Sequence, residues 1–296
     1  MSEAFTGVVV GVDGGPSGQA ATELAAETAV RYGQPLCLLH VMQLAPAVGM
    51  AAPYAHGVDE WRAASEELLT ELADNLRREH PDLTVVTQVV AGNPSGTLIA
   101  ASESARLLIV GCRGRGGFAE LLLGSVSSQV AAHAKSPVIV VRPADAGERP
   151  HPGLPVVVGV DGSEISTAAV GFAFAEAATR RVPLVVQHVW WAPDYAAGDG
   201  QVDPVALEKQ AATIVAEAVA GYADEYPQVA VETRLTHSAD AEAEMIDTSA
   251  HASLVVVGSR GRGGFRGLLL GSVSQALVHH AECPVAIVRS VPPDRA

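Results

Sequence analysis

The chain has 296 residues, of which 48% are hydrophobic and 18% charged, with a formal net charge of -14. That length suits two domains of about 150 residues, and the apolar content excludes a disordered chain. The negative charge, with no Lys/Arg stripe to reverse it locally, excludes nucleic acid as a partner, and no apolar run nears the roughly 18 residues of a bilayer span.

Met1 to Gly7 lacks a basic segment followed by an apolar stretch, so no secretory signal is expected and the cytoplasm is the expected compartment. Cys37, Cys112 and Cys283 are odd in number and lack metal-like spacing, which fits reduced thiols rather than a zinc site or a disulfide frame.

In chain order, Gly7 to Val12 is a valine-rich strand run, and Ala20 to Tyr32 has a helical pattern after Pro16-Ser17. Leu36 to Val41 is a second strand. A loop with Pro46, Gly49, Pro53 and Gly57 leads to helical periodicity over Val58 to His80, then a strand at Thr84 to Val90 and a helix at Pro94 to Ser104. Leu107 to Gly111 is a strand, Ser125 to Ala134 a helix and Val138 to Arg142 a final strand. Strands so uniformly apolar, alternating with helices, imply a parallel sheet covered on both faces.

The whole pattern then repeats at an offset of 147 to 148 residues. Gly11-Val12-Asp13-Gly14 returns as Gly159-Val160-Asp161-Gly162, His40-Val41 as His188-Val189, and Pro137 to Arg142 as Pro284 to Arg289. The glycine-rich loop Gly111-Cys112-Arg113-Gly114-Arg115-Gly116-Gly117-Phe118 returns as Gly258-Ser259-Arg260-Gly261-Arg262-Gly263-Gly264-Phe265. Pro143 to Pro155, rich in Pro, Gly and charge, reads as the connector, giving a first domain at 1–144, a linker at 145–154 and a second domain at 155–296.

Two tandem doubly wound α/β domains, each a five-stranded parallel sheet in the order 3-2-1-4-5, are therefore expected. In that order a ligand crevice opens beyond the carboxyl ends of strands one and four, where Asp13 and Gly111, or Asp161 and Gly258, stand. Gly114, Gly116 and Gly117 let backbone approach an anion, and Gly124-Ser125 opens a helix whose first N–H groups favour negative charge. Ser125 and Ser127 add hydroxyl donors, and Arg113 and Arg115 can pair with phosphate or stay solvated. Asp13 and Asp161 can hold Mg²⁺ through water, bond a ribose hydroxyl, or cap the helices starting near Pro16 and Glu164.

These residues resemble the universal stress protein family, whose ATP-binding members carry G-x2-G-x9-G-[ST]. Gly111, Gly114, Gly124 and Ser125 satisfy that pattern, as do Gly258, Gly261, Gly271 and Ser272. The resemblance covers nearly the whole chain and is to tandem-domain members found in actinobacteria that bind one ATP per domain. It implies a Rossmann-like fold of the adenine nucleotide alpha hydrolase-like type. It further implies adenine packed near Val41 and Val189, the nucleoside bordered by Gly11, Asp13, Gly159 and Asp161, and phosphates on the glycine loops with Ser125-Val126 and Ser272-Val273-Ser274. Joining of the terminal strands into a pseudo-twofold pair is implied too, and a further homodimer and a protein partner are expected. One departure stands out: the first copy follows its third strand with Ala91-Gly92-Asn93-Pro94, whereas the second has Thr236-His237-Ser238-Ala239, so a differently built turn is expected there.

Other chemistries fit less well. No G-x4-G-K-[ST] motif exists, neither Lys135 nor Lys209 lies in a glycine loop, and no nucleophile elbow with a histidine partner can be assembled. His40 and His188 at strand ends read as structural, Cys112 as a small-residue position because Ser259 replaces it, and Trp190-Trp191 as core or rim packing. The expected function is a nucleotide-dependent regulator with little or no hydrolysis; the alternative is a slow Mg²⁺-dependent ATPase or nucleotidyl transferase using Asp13.

Overall fold

Valines whose side chains are wholly buried make the short central strand β1 (Val8–Gly11), and a computed structural model of the chain shows how the rest is laid around it. It describes residues 5–43, 52–113, 124–142, 153–191, 203–262 and 270–289. The chain divides into two units, Met1–Pro143 and Ala144–Ala296.

In the first unit β1 is followed by α1 (Pro16–Tyr32), β2 (Leu36–Met42), α2 (Ala52–Glu79), β3 (Val85–Ala91), α3 (Pro94–Ala101), β4 (Leu107–Gly111), α4 (Ser125–His133) and β5 (Val138–Val141). All neighbouring strands pair in parallel, in the order β3-β2-β1-β4-β5. Both faces of the inner strands are buried because helices cover them, which is why their sequences run apolar without alternation. Two boundaries differ from the sequence reading. Proline presets the first helical φ and needs no N–H partner, so α1 starts at Pro16 rather than Ala20, while α2 starts at Ala52, ahead of the periodic stretch that begins at Val58.

The second unit repeats the plan with β6 (Val156–Gly159), α5 (Glu164–Arg180), β7 (Leu184–Trp190), α6 (Pro204–Val219), β8 (Val231–His237), α8 (Ala241–Ser249), β9 (Leu254–Gly258), α9 (Ser272–His280) and β10 (Val285–Val288). Its parallel order is β8-β7-β6-β9-β10. A short helix, α7 (Tyr222–Glu225), is inserted after α6. Tyr222 and Tyr226 stack on the buried ring of Phe174, and Gly171 on α5 leaves the room Tyr222 occupies.

The turn after the third strand is built differently in the two units, as the sequence predicts: Gly92-Asn93 joins β3 to α3, whereas Ser238-Ala239-Asp240, one residue longer, joins β8 to α8. Asn93 caps α3 by accepting from the Gly96 N–H, and Asp240 caps α8 by accepting from the Ala243 N–H. The cap chemistry is thus shared. Thr236 and His237 belong to β8 itself, as Ala91 belongs to β3, so the difference lies in the residues that follow the strand.

Candidate functional site

The sheet order brings the ends of β1 and β4 side by side, and likewise β6 and β9, so each repeated motif pair meets at one crevice. After each first strand the chain turns through a left-handed glycine, Gly14 at φ 75° and Gly162 at φ 76°. The aspartate just before it folds the turn. Asp13 Oδ1 accepts from the Gly15 N–H at 3.0 Å, and Asp161 Oδ1 accepts from the Ser163 N–H at 3.0 Å and its hydroxyl at 2.7 Å. Neither aspartate is the helix cap; Gly15 and Ser163 occupy those positions.

In the second unit Asp161 also reaches across the crevice. Its Oδ2 accepts the Arg262 backbone N–H at 2.6 Å, and the Arg262 guanidinium donates to the Gly162 carbonyl at 3.0 Å. The start of the glycine loop is latched to the end of β6. Burial works to raise the Asp161 pKa, but hydrogen bonds from Ser163, Arg262 and Ser166 together hold it below its ordinary value of 3.8. A depressed folded-state pKa stabilises the fold above the unfolded pKa, and that contribution is lost as pH falls through the folded value. Denaturant melts at falling pH, from pH 5 to below pH 3.8, should therefore show wild type losing more stability than Asp161→Asn. Parallel losses would dismiss the latch as a stabilising contact.

A cavity of about 520 Å³ opens at this crevice. One end is apolar, with Val189, Ala241, Met245 and Val257. The other end carries Gly261, Gly271, Ser272, Val273 and Ser274, where α9 begins. The cap residue Gly271 supplies no side-chain acceptor to the first helical N–H groups. Those donors favour an anion. Gly159, Asp161, Gly258, Arg260 and Arg262 complete the predicted residues found on its wall. Ser166 and Gln187 line it too. Sequence reading missed both.

Two predicted roles change. The Ser127 hydroxyl is buried and donates to the Cys112 and Gly124 carbonyls at 2.9 and 3.0 Å, and Ser274 does the same with Ser259 and Gly271 at 3.2 and 2.9 Å. With the Gly124 and Gly271 N–H groups donating to those same residue 112 and 259 carbonyls, these serines pin the helix start to the strand end rather than offering a proton to a ligand. Cys112 and Ser259 are buried, and Ser259 is not on the cavity wall. The position requires a small side chain.

In the first unit Gly11, Asp13, Val41, Gly111, Arg113, Gly124, Ser125 and Val126 occupy the matching strand and helix ends. Gly114, Arg115, Gly116 and Gly117, with Gly263 and Gly264 of the second copy, lie outside the described residues.

His40 and His188 are structural. Each ring donates from Nδ1 to the carbonyl that ends strand one, Val12 at 2.7 Å and Val160 at 2.6 Å. Burial pushes the Cys37 and Cys283 thiols up to about 12, so neither is a nucleophile. Among the described residues no three His, Cys, Asp or Glu side chains group as metal ligands, and no helix is long and apolar enough to cross a membrane.

Known proteins align with both halves. The model of the Universal stress protein family matches residues 5–142 and again 154–289. A universal stress protein of Mycobacterium tuberculosis (strain ATCC 25618 / H37Rv) is 37% identical over 289 residues, covering 96% of each chain. One from Mycolicibacterium smegmatis is 38% identical over 293 residues, covering 96% of this chain and 97% of the other. The crystal structure of a universal stress protein from Archaeoglobus fulgidus shares the fold at a TM-score of 0.71 and 22% identity, covering 97% of this chain and 99% of that one. With two matches to the family model and a relative at this identity over nearly its whole length, the chain belongs to the universal stress protein family.

Proposed function

We propose that the protein is a nucleotide-dependent regulator that takes one ATP in each domain and turns it over slowly or not at all. The observation that carries this reading is the cavity of the second unit, which joins an apolar end at Val189 and Met245 to an anion-favouring end at Gly261, Gly271 and Ser272. A base needs the first and a phosphate chain the second. The repeated motif extends the reading to the first unit.

Slow turnover follows from what surrounds the phosphate end. Phosphoryl transfer needs a group that positions the attacking water. Among the described residues of the cavity wall Asp161 is the sole carboxylate, and there is no histidine or lysine. Asp161 already accepts from Ser163 and Arg262, so direct magnesium ligation by it does not fit this arrangement. The slow ATPase or nucleotidyl transferase that would use Asp13 and Asp161 is the weaker reading for that reason.

The test is the small molecule released when the purified protein is denatured. ATP near two per chain, with phosphate release below a few per minute on incubation, is the expected result. A protein that neither carries nor binds ATP ends this reading. Faster release that disappears in the Asp161→Ala variant would instead favour the enzyme.

A further inference from the structure

One side chain in the cavity wall of the second unit breaks the repeat. Gln187 lies on β7 two residues before Val189, on the same face, and is 1% exposed. Register fixes its counterpart: Gly159 pairs with Gln187 as Gly11 pairs with Leu39. Its two hydrogen-bond partners also differ from the first unit. Nε2 of Gln187 donates to Thr236 Oγ1 at 3.4 Å, and the Thr248 hydroxyl is shared between Oε1 at 3.0 Å and the Glu244 carbonyl of its own helix at 2.8 Å. Thr236 faces Val189 as Val90 faces Val41, and Thr248 precedes Ser249 as Ala101 precedes Ser102. Ser249 and Ser102 themselves match, each accepting a backbone N–H that follows the last helix, from Glu282 and Lys135.

Three apolar positions, Leu39, Val90 and Ala101, have thus become a carboxamide held between two hydroxyls. A primary amide has two donors and two acceptor lone pairs, and the threonines use one of each. One N–H and one lone pair of a side chain that lines the cavity are left over. Burying them is unfavourable unless something in the cavity satisfies them. Side-by-side donor and acceptor on a glutamine match the amino group and adjacent ring nitrogen of adenine. The floor nearby changes as well. Where a side chain at Gly11 would touch Leu98, one at Gly159 would touch the straight, adaptable Met245.

We infer that Gln187 reads the hydrogen-bonding edge of the base in the second site, and that the two sites therefore differ in base selectivity. The inference rests on the nucleotide reading above, with the base at the Val189 end. Thr236 and Thr248 act as positioning residues that hold the carboxamide.

Calorimetric titration of the full chain with ATP and with purine riboside triphosphate, which lacks the 6-amino group, tests it. Wild type should show two binding steps, of which one weakens about tenfold on loss of the amino group and the other hardly changes. In Gln187→Leu, which installs the residue of the first unit, that discrimination should vanish while both steps persist. Thr248→Val, which keeps the carboxamide but removes a hydroxyl that orients it, should reduce the discrimination at the same step. Unchanged discrimination in both variants, or none in wild type, overturns the inference and leaves ATP binding standing. No ATP binding by wild type overturns the nucleotide reading and this inference with it.

Discussion

Gly261→Val should lower the ATP affinity of the second site by about 100-fold, or about 2.7 kcal/mol, and bring the stoichiometry seen by calorimetry from near two toward one. A β-carbon at residue 261 would overlap Asp161 Oδ2. That oxygen cannot simply swing aside, because the same carboxylate is held by the Ser163 N–H and hydroxyl. Either the loop lifts off, losing the Arg262 N–H bond, or Asp161 leaves its turn. The branched side chain would also occupy the end of the cavity where α9 presents its open N–H groups. Gly261 is solvent-exposed, so the fold should survive and circular dichroism should match wild type. The untouched first site serves as the internal control. Two undiminished binding steps in this variant would mean that the glycine loop does not hold the phosphates.

What the sequence made legible was whatever repeats or alternates. The strands were readable because both faces of each inner strand are covered, so Val8, Val9 and Val10 are all apolar, as are Leu107, Leu108 and Ile109. Strand order and the crevice followed from that topology together with the duplicated motifs. Less legible were groups whose role depends on one particular partner. Ser127 and Ser274 looked like free hydroxyl donors, and only the fold shows their protons spent on carbonyls fifteen and three residues away. The Asp161 latch joins residues 101 apart, a separation no local pattern encodes. Gln187 stands beside His188 as one of two polar residues inside the apolar run of β7, and its meaning required the register that sets it against Leu39. The turn after β8 reads as different from the sequence alone, but its shared cap does not: Asp240 replaces Asn93 with equal capping chemistry after a turn one residue longer.

The glycine that opens each motif illustrates how a shared pattern can conceal different physics. Gly111 needs no left-handed backbone, yet a β-carbon there would lie 2.7 Å from the Ser17 carbonyl carbon and 2.8 Å from its oxygen and Cβ. Backbone atoms in the first turn of α1 cannot yield as a side chain can, so Gly111→Ala must push the helix away from β4. Overpacking of this kind costs about 1–3 kcal/mol, and lower entropy of the unfolded chain returns only about 0.4–1 kcal/mol of it. At Gly258 the nearest atom is instead the Ile165 Cγ2 methyl at 2.8 Å, with backbone no closer than Arg260 O at 3.1 Å. The crowding there is against one side-chain carbon, with backbone farther off, so Gly258→Ala should be the milder change. Urea melts should accordingly show a net loss of about 1–2 kcal/mol in the first unit for Gly111→Ala, and less than half that in the second for Gly258→Ala. The shift of α1 carries the Asp13 turn with it, so the first site should also weaken in Gly111→Ala although this residue's β-carbon would meet α1 and not ligand. Equal destabilisation by the two alanines would refute the packing argument, and with it the view that Gly111 serves the site through the position of α1.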